Sequence, residues 1–175
     1  MRKRDSLYKL TYTAIFSAII LLSTTLIKFS TGMGEGYIHF GDCFIYLTAC
    51  VLPFPYCLIA GAVGGALADI LGGYAVWAIP TAIIKTLIAV PFMLMCRNHK
   101  AQKILNIKIA LMTIVSGLIS MLGYFITECI LYSVASATLS IIGNTIQAVA
   151  SGILFIIIAT ALDKMNFKSR VFKGV

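Results

Sequence analysis

Apolar residues run almost unbroken through six stretches, at about 10–30, 38–52, 56–71, 80–96, 109–132 and 139–162, and polar residues collect between them. A surface helix of a soluble protein returns a polar face every turn; these stretches do not. About 20 apolar residues cross a bilayer core as a helix, so the pattern predicts an all-α integral membrane protein with six transmembrane helices in one bundle, forming a single domain over 1–175. The second stretch is short for a straight crossing. The punctuation agrees with this reading. STGMGEG at Ser30–Gly36 is a glycine-rich turn or re-entrant loop, Pro53-Phe54-Pro55 ends the second stretch, and Gly72–Trp77 is a loop. Pro80 suits the first turn of a helix, 97–108 is polar and basic, and a short Ser/Ala loop precedes the sixth stretch.

One segment breaks the pattern. Between Gly36 and Lys85 the chain stays apolar yet carries His39, Asp42, Asp69 and Lys85, with Pro53, Pro55, Gly72, Gly73 and Pro80 among them. An ionisable side chain in a membrane costs several kcal/mol unless it is paired or faces a wet cavity. The rest of the bundle is therefore expected to wall this segment. Lys85 is expected to pair with an acid inside the bundle, which gives Asp42, Asp69 and Lys85 a structural role. In GAVGGALAD, Gly61 and Gly65 share one helix face, as do Ala62, Ala66 and, slightly offset, Asp69, so another backbone should approach there.

Composition narrows the class. The 175 residues are 60% hydrophobic and 11% charged, against roughly 25% charged in soluble domains. The formal charge of +8 points first to an anionic partner such as nucleic acid, but its distribution reads as topology. Of 14 Lys and Arg, all but Lys28 and Lys85 lie before the first stretch, between the fourth and fifth, or after the sixth. By the positive-inside rule this places both termini in the cytoplasm of a multi-pass cell-membrane protein, with lipid rather than nucleic acid as the charge partner. Glu35, Asp42, Asp69 and Glu128 then fall in the outer half. The five cysteines are scattered through apolar stretches without a C-x-x-C pair, so they read as small buried hydrophobes, with no metal site.

Candidate ligand contacts converge on that outer end. Tyr74 and Trp77, after a glycine pair, are placed to stack on a planar ring or to anchor at the interface. Glu128 has Tyr124 and Tyr132 four residues away on either side, one face of a helix suited to hydrogen-bonding ring nitrogens or hydroxyls. Asn144 and Gln147 lie three apart in the outer half of the last stretch. Glu35 and His39 are candidates for a loop lid. In the first stretch, Ala14 and Ala18 with Ser17 beside them form an A-x-x-x-A pattern that admits a close helix partner.

GYIHFGDCFIYL followed by GGALADILGGYAVWAIPTAIIK resembles the substrate-binding S components of energy-coupling factor (ECF) importers. Within these it is similar to the group with riboflavin-, hydroxymethylpyrimidine- and pyridoxine-type members. The likeness covers the first four stretches, and the last two by hydropathy and length. It implies a six-helix bundle with an outward-facing pocket capped by loops. It also implies a subunit that lacks an ATPase and needs no cofactor, and that topples in the membrane when an EcfT-type coupling subunit and two ATPase subunits drive it. Ala14 and Ala18 sit where such proteins meet the coupling subunit. The substrate expected from few charges and several aromatics is a small, planar, mostly neutral nitrogen heterocycle. Hydroxymethylpyrimidine, pyridoxine, riboflavin, thiamine and the deazaguanine precursors of queuosine all fit.

Catalysis has little to stand on. The sequence has no phosphate-binding G-x-x-x-x-G-K-[ST], no H-E-x-x-H and no G-x-S-x-G. His39 with Asp42 and Glu35 is the nearest set for a membrane-embedded enzyme. A stand-alone, ion-coupled carrier using Asp69 and Lys85 is the other alternative, disfavoured by the lack of an inverted repeat.

Overall fold

A computed structural model describes residues 2–26, 28–30, 37–96 and 103–171. Glu35, Arg97, His99 and Lys100 lie outside the described residues. The order is α1 (Arg2–Leu26), β1 (Lys28–Ser30), β2 (Tyr37–His39), α2 (Gly41–Val51), α3 (Tyr56–Leu71), a 3-10 turn (Ala75–Trp77), α4 (Ala78–Cys96), α5 (Ile107–Leu131), α6 (Val134–Lys164) and the short α7 (Phe167–Val171). α1, the helix beginning at the 3-10 turn, α5 and α6 are each long and apolar enough to cross a membrane, and α2 and α3 are shorter apolar helices.

The outer surface is oily. Leu26, Ile79, Ile107 and Ile130 are each at least three-quarters exposed, a cost in water and a match for lipid. The walls run α1–α3–α4–α5–α6, each helix packed on the next, and α2 lies within, against α1, α3, α4 and α6. Every residue of α2 except Phe44 is buried. Its short length follows from this place: it is a core helix as much as a span. Below its charged first turn, Tyr46 stacks on Phe92 at 4.5 Å between ring centroids, and Phe155 meets both edge-on. These three aromatics fasten α2, α4 and α6 together.

Close packing between α1, α3 and α4 depends on glycine. A Cβ on Gly61 would stand 3.3 Å from the backbone oxygen of Lys85, the close approach expected of that face. The sequence pattern does not single out Gly64, yet a Cβ there would stand 2.8 Å from the Ser17 backbone oxygen and from Ile20 Cβ. It is the contact that seats α1 on α3.

Several boundaries differ from the sequence reading. Residues 28–30 are not helix but pair antiparallel with Tyr37–His39, in register Lys28↔His39 to Ser30↔Tyr37. The first and second apolar stretches are thus linked by a hairpin, and α2 begins only at Gly41. The expected Ser/Ala loop before 139 is largely helical, since α6 starts at Val134. Ser133 caps it by accepting the Ser136 N–H at 3.2 Å, as Asn106 caps α5 by accepting the Ile109 N–H at 3.0 Å. Gly72 and Gly73 end α3, and Gly73 takes φ 86°, a left-handed conformation that glycine adopts without strain.

Candidate functional site

Eight segments bring polar side chains to one end of the bundle, where α1, α3 and α5 finish and α2, α4 and α6 begin. The deepest element is an ion pair. Lys85 of α4 donates from Nζ to Asp42 Oδ1 in the first turn of α2 at 2.5 Å, and both side chains are 1% exposed. Gly65 clears the way: a Cβ there would stand 2.8 Å from Lys85 Cγ, so only glycine on α3 lets the lysine stem pass. The ammonium also lies 5.1 Å from the centroid of the Tyr124 ring, a second source of stabilisation for a buried cation.

Gln147 of α6 completes the centre. Its Nε2 donates to Asp42 Oδ2 at 3.1 Å, and its Oε1 accepts the backbone N–H of His39 at 3.3 Å. His39 Nδ1 accepts the Gly41 N–H at 3.1 Å, so that ring nitrogen carries no proton. One amide thus joins α6 to α2 and to β2. Both oxygens of Asp42 are engaged, as a buried carboxylate requires.

Above this centre lies a cavity of about 540 Å³, counted to its open mouth. Its lining includes His39, Asp69, Tyr74, Trp77, Lys85, Tyr124, Glu128, Asn144 and Gln147, together with Thr24, Gly65 and Thr81. Trp77 donates from Nε1 to Tyr132 Oη at 3.3 Å and lies 5.9 Å from the Tyr124 ring. Tyr124 Oη and Thr81 Oγ1 are 3.5 Å apart. The result is an aromatic wall of fixed orientation. Glu128 lines the same space; it is 4% exposed, and its Oε2 has no hydrogen-bond partner among the described residues.

The structure therefore gathers His39, Tyr74, Trp77, Tyr124, Glu128, Asn144 and Gln147 around one space. Glu35 lies outside the described residues. Asp42 is beneath the floor, held by Lys85 and Gln147. The sequence pattern gives Lys85 and Asp69 a structural role, yet both also line the cavity. Ala14 and Ala18 do not line it and are exposed on α1. Three lining residues escape the sequence reading. Thr81 is one helical turn before Lys85 and so shares its face, a signal present in the sequence. Thr24 is placed by tertiary packing and nothing local marks it, while Gly65 is legible in the sequence only as part of a close-packing helix face.

What the arrangement offers chemically is an aromatic surface, several hydrogen-bonding groups and a buried charge pair. Among the described residues no His, Cys, Asp and Glu side chains are grouped as a metal site.

A protein of Pyrococcus woesei described as "Uncharacterized protein in gap 3'region" is 32% identical over 135 residues, covering 77% of this chain and 87% of that protein. The profile of the family described as "ECF-type riboflavin transporter, S component" matches residues 4–164. That match begins in the first turns of α1 and runs to the end of α6, so it takes in every wall of the bundle and all the described residues of the cavity. On this ground the protein belongs to the ECF-type riboflavin transporter S component family, a family of membrane-embedded, non-enzymatic transport subunits.

Proposed function

We propose that this chain captures a small planar nitrogen heterocycle in the cavity above the Lys85–Asp42 pair and delivers it through an EcfT-type coupling subunit driven by two ATPases. One observation carries the reading: a single space is walled by Trp77 and Tyr124 and edged by Glu128, Asn144 and Gln147. Aromatic faces bind a flat ring, and the polar groups fix its orientation. Hydroxymethylpyrimidine, pyridoxine, riboflavin, thiamine and queuosine precursors are the candidate substrates. In this reading the chain makes six crossings, α2 and α3 included, and both termini face the cytoplasm. The cavity then opens outward, because the basic segments lie at the opposite end.

The experiment has two arms. Mass spectrometry of small molecules released from the protein purified from its producing cells is expected to give one heterocycle in near-equimolar amount. Vesicles holding the chain with a coupling subunit and ATPases are then expected to accumulate that compound from outside when ATP is inside. Uptake that needs neither ATP nor those subunits would favour a stand-alone carrier.

Coupling is assigned to the outward face of α1. Ala14 and Ala18 are both exposed there, and small residues let a second helix approach closely. Replacing both with Leu is expected to abolish uptake while leaving ligand affinity unchanged by calorimetry. Loss of binding together with uptake would mean that the alanines serve this chain's own packing.

A further inference from the structure

The acidic side chains that line the cavity bear on what it accepts. Lys85 is its buried cation, and Asp42 engages it directly. Glu128 projects from α5 with its side chain buried and one oxygen unpartnered among the described residues. Ser140 of α6 is its polar neighbour. Asp69 and His39 also line the space, and Lys28 lies 5.9 Å from the ring centroid of Tyr74, another lining residue. A buried carboxylate oxygen without a donor is costly. Glu128 lines the cavity beside two aromatic rings, so a ligand that brings a donor would satisfy that oxygen.

We infer that Glu128 selects for heterocycles presenting an amidine-like N–H donor edge or a cationic ring nitrogen, and selects against their phosphate esters. A carboxylate accepts two parallel N–H bonds from an amino group and the adjacent protonated ring nitrogen. The Trp77 and Tyr124 faces favour a positively polarised ring. A phosphate in the same space meets a like charge, and Lys85, the lysine lining the cavity, is already engaged by Asp42. This inference rests on the cavity being the substrate site, and it narrows the candidates to aminopyrimidine-like and thiazolium-like compounds over flavins.

The test is calorimetry on the purified full chain in detergent. The probes are hydroxymethylpyrimidine bearing its exocyclic amine, the same compound lacking that amine, its phosphate ester, thiamine and riboflavin. The wild-type protein is expected to bind the amine-bearing pyrimidine or thiamine about ten- to a hundredfold more tightly than the deamino compound, the ester or riboflavin. Glu128→Gln should erase most of that preference, and Glu128→Asp, which keeps the charge, should retain part of it. Asn144→Ala, on the facing helix, serves as the check on location. If Asn144→Ala weakens binding but Glu128→Gln leaves the preference intact, the cavity stands and the role of Glu128 is overturned. If a probe binds and no variant alters its affinity, the cavity itself is the wrong site. Preference for riboflavin, or failure of every amine-bearing probe to bind, overturns the inference. Because the wild-type comparison alone tests the preference, a variant that misfolds does not protect the idea.

Discussion

Removing one partner of the buried ion pair is expected to be the most damaging single change in this protein. Lys85→Met leaves the Asp42 carboxylate buried with Gln147 as its remaining side-chain donor among the described residues, and Asp42→Asn strands the ammonium against Tyr124. Breaking a buried pair costs about 3–5 kcal/mol, whereas replacing both charges together is often near neutral. The double variant Asp42→Asn/Lys85→Met should therefore be more stable than either single one, despite carrying more changes. Thermal unfolding of the three proteins in detergent measures the order. If the double variant loses as much as the two single losses added together, the pair is not a coupled unit and the account of the site's floor is wrong.

Gln147 is expected to come second, and its effect should reach the ligand. Gln147→Leu keeps the approximate volume but removes the donor to Asp42 Oδ2 and the acceptor of the His39 N–H. Each buried group left unsatisfied costs about 1–3 kcal/mol. Stability should fall by about 2–5 kcal/mol in total, since relaxation recovers part of the loss. Ligand affinity should fall about ten- to a hundredfold as well, because the same amide borders the cavity and holds β2 at its edge. Comparing the melting temperature with the dissociation constant separates the two effects. A variant that melts early but binds at wild-type strength would mean that Gln147 only braces the bundle.

Much of this is legible in the chain because lipid imposes a simple grammar. A segment without water must satisfy its backbone internally, so apolar length alone announces helices, and the lone polar residues within them stand out. That is why Lys85, Glu128, Asn144 and Gln147 are conspicuous in the sequence, and the fold gathers all four around one cavity. The helix period places Tyr124, Glu128 and Tyr132 on one face, and the first two line the cavity while Tyr132 holds Trp77.

What is not legible depends on tertiary contact. The partner of Lys85 has several acids to choose from in sequence, and the choice of Asp42 is made by the passage that Gly65 leaves across α3. The two hydrogen bonds of Gln147 join residues more than a hundred positions apart, and no local pattern encodes them. The β1–β2 pairing is hidden because three residues, Lys28, Phe29 and Ser30, are too few to show a strand period, and their partners Tyr37–His39 lie beyond the glycine-rich segment. Val134–Thr138 reads as a loop from its small polar residues, yet the Ser133 cap starts α6 there and propagation does the rest.

The central claim is that substrate sits in the cavity walled by Trp77, and the chain carries a built-in reporter of it. Trp77 is the sole tryptophan, it is 8% exposed, and it lies on the cavity wall. The direct measurement is its emission while the purified protein, stripped of bound small molecules, is titrated with the compound identified by mass spectrometry. The account predicts a saturable change in Trp77 intensity or wavelength whose midpoint matches the calorimetric dissociation constant. Full calorimetric binding with an unchanged Trp77 spectrum would contradict it and place the ligand elsewhere.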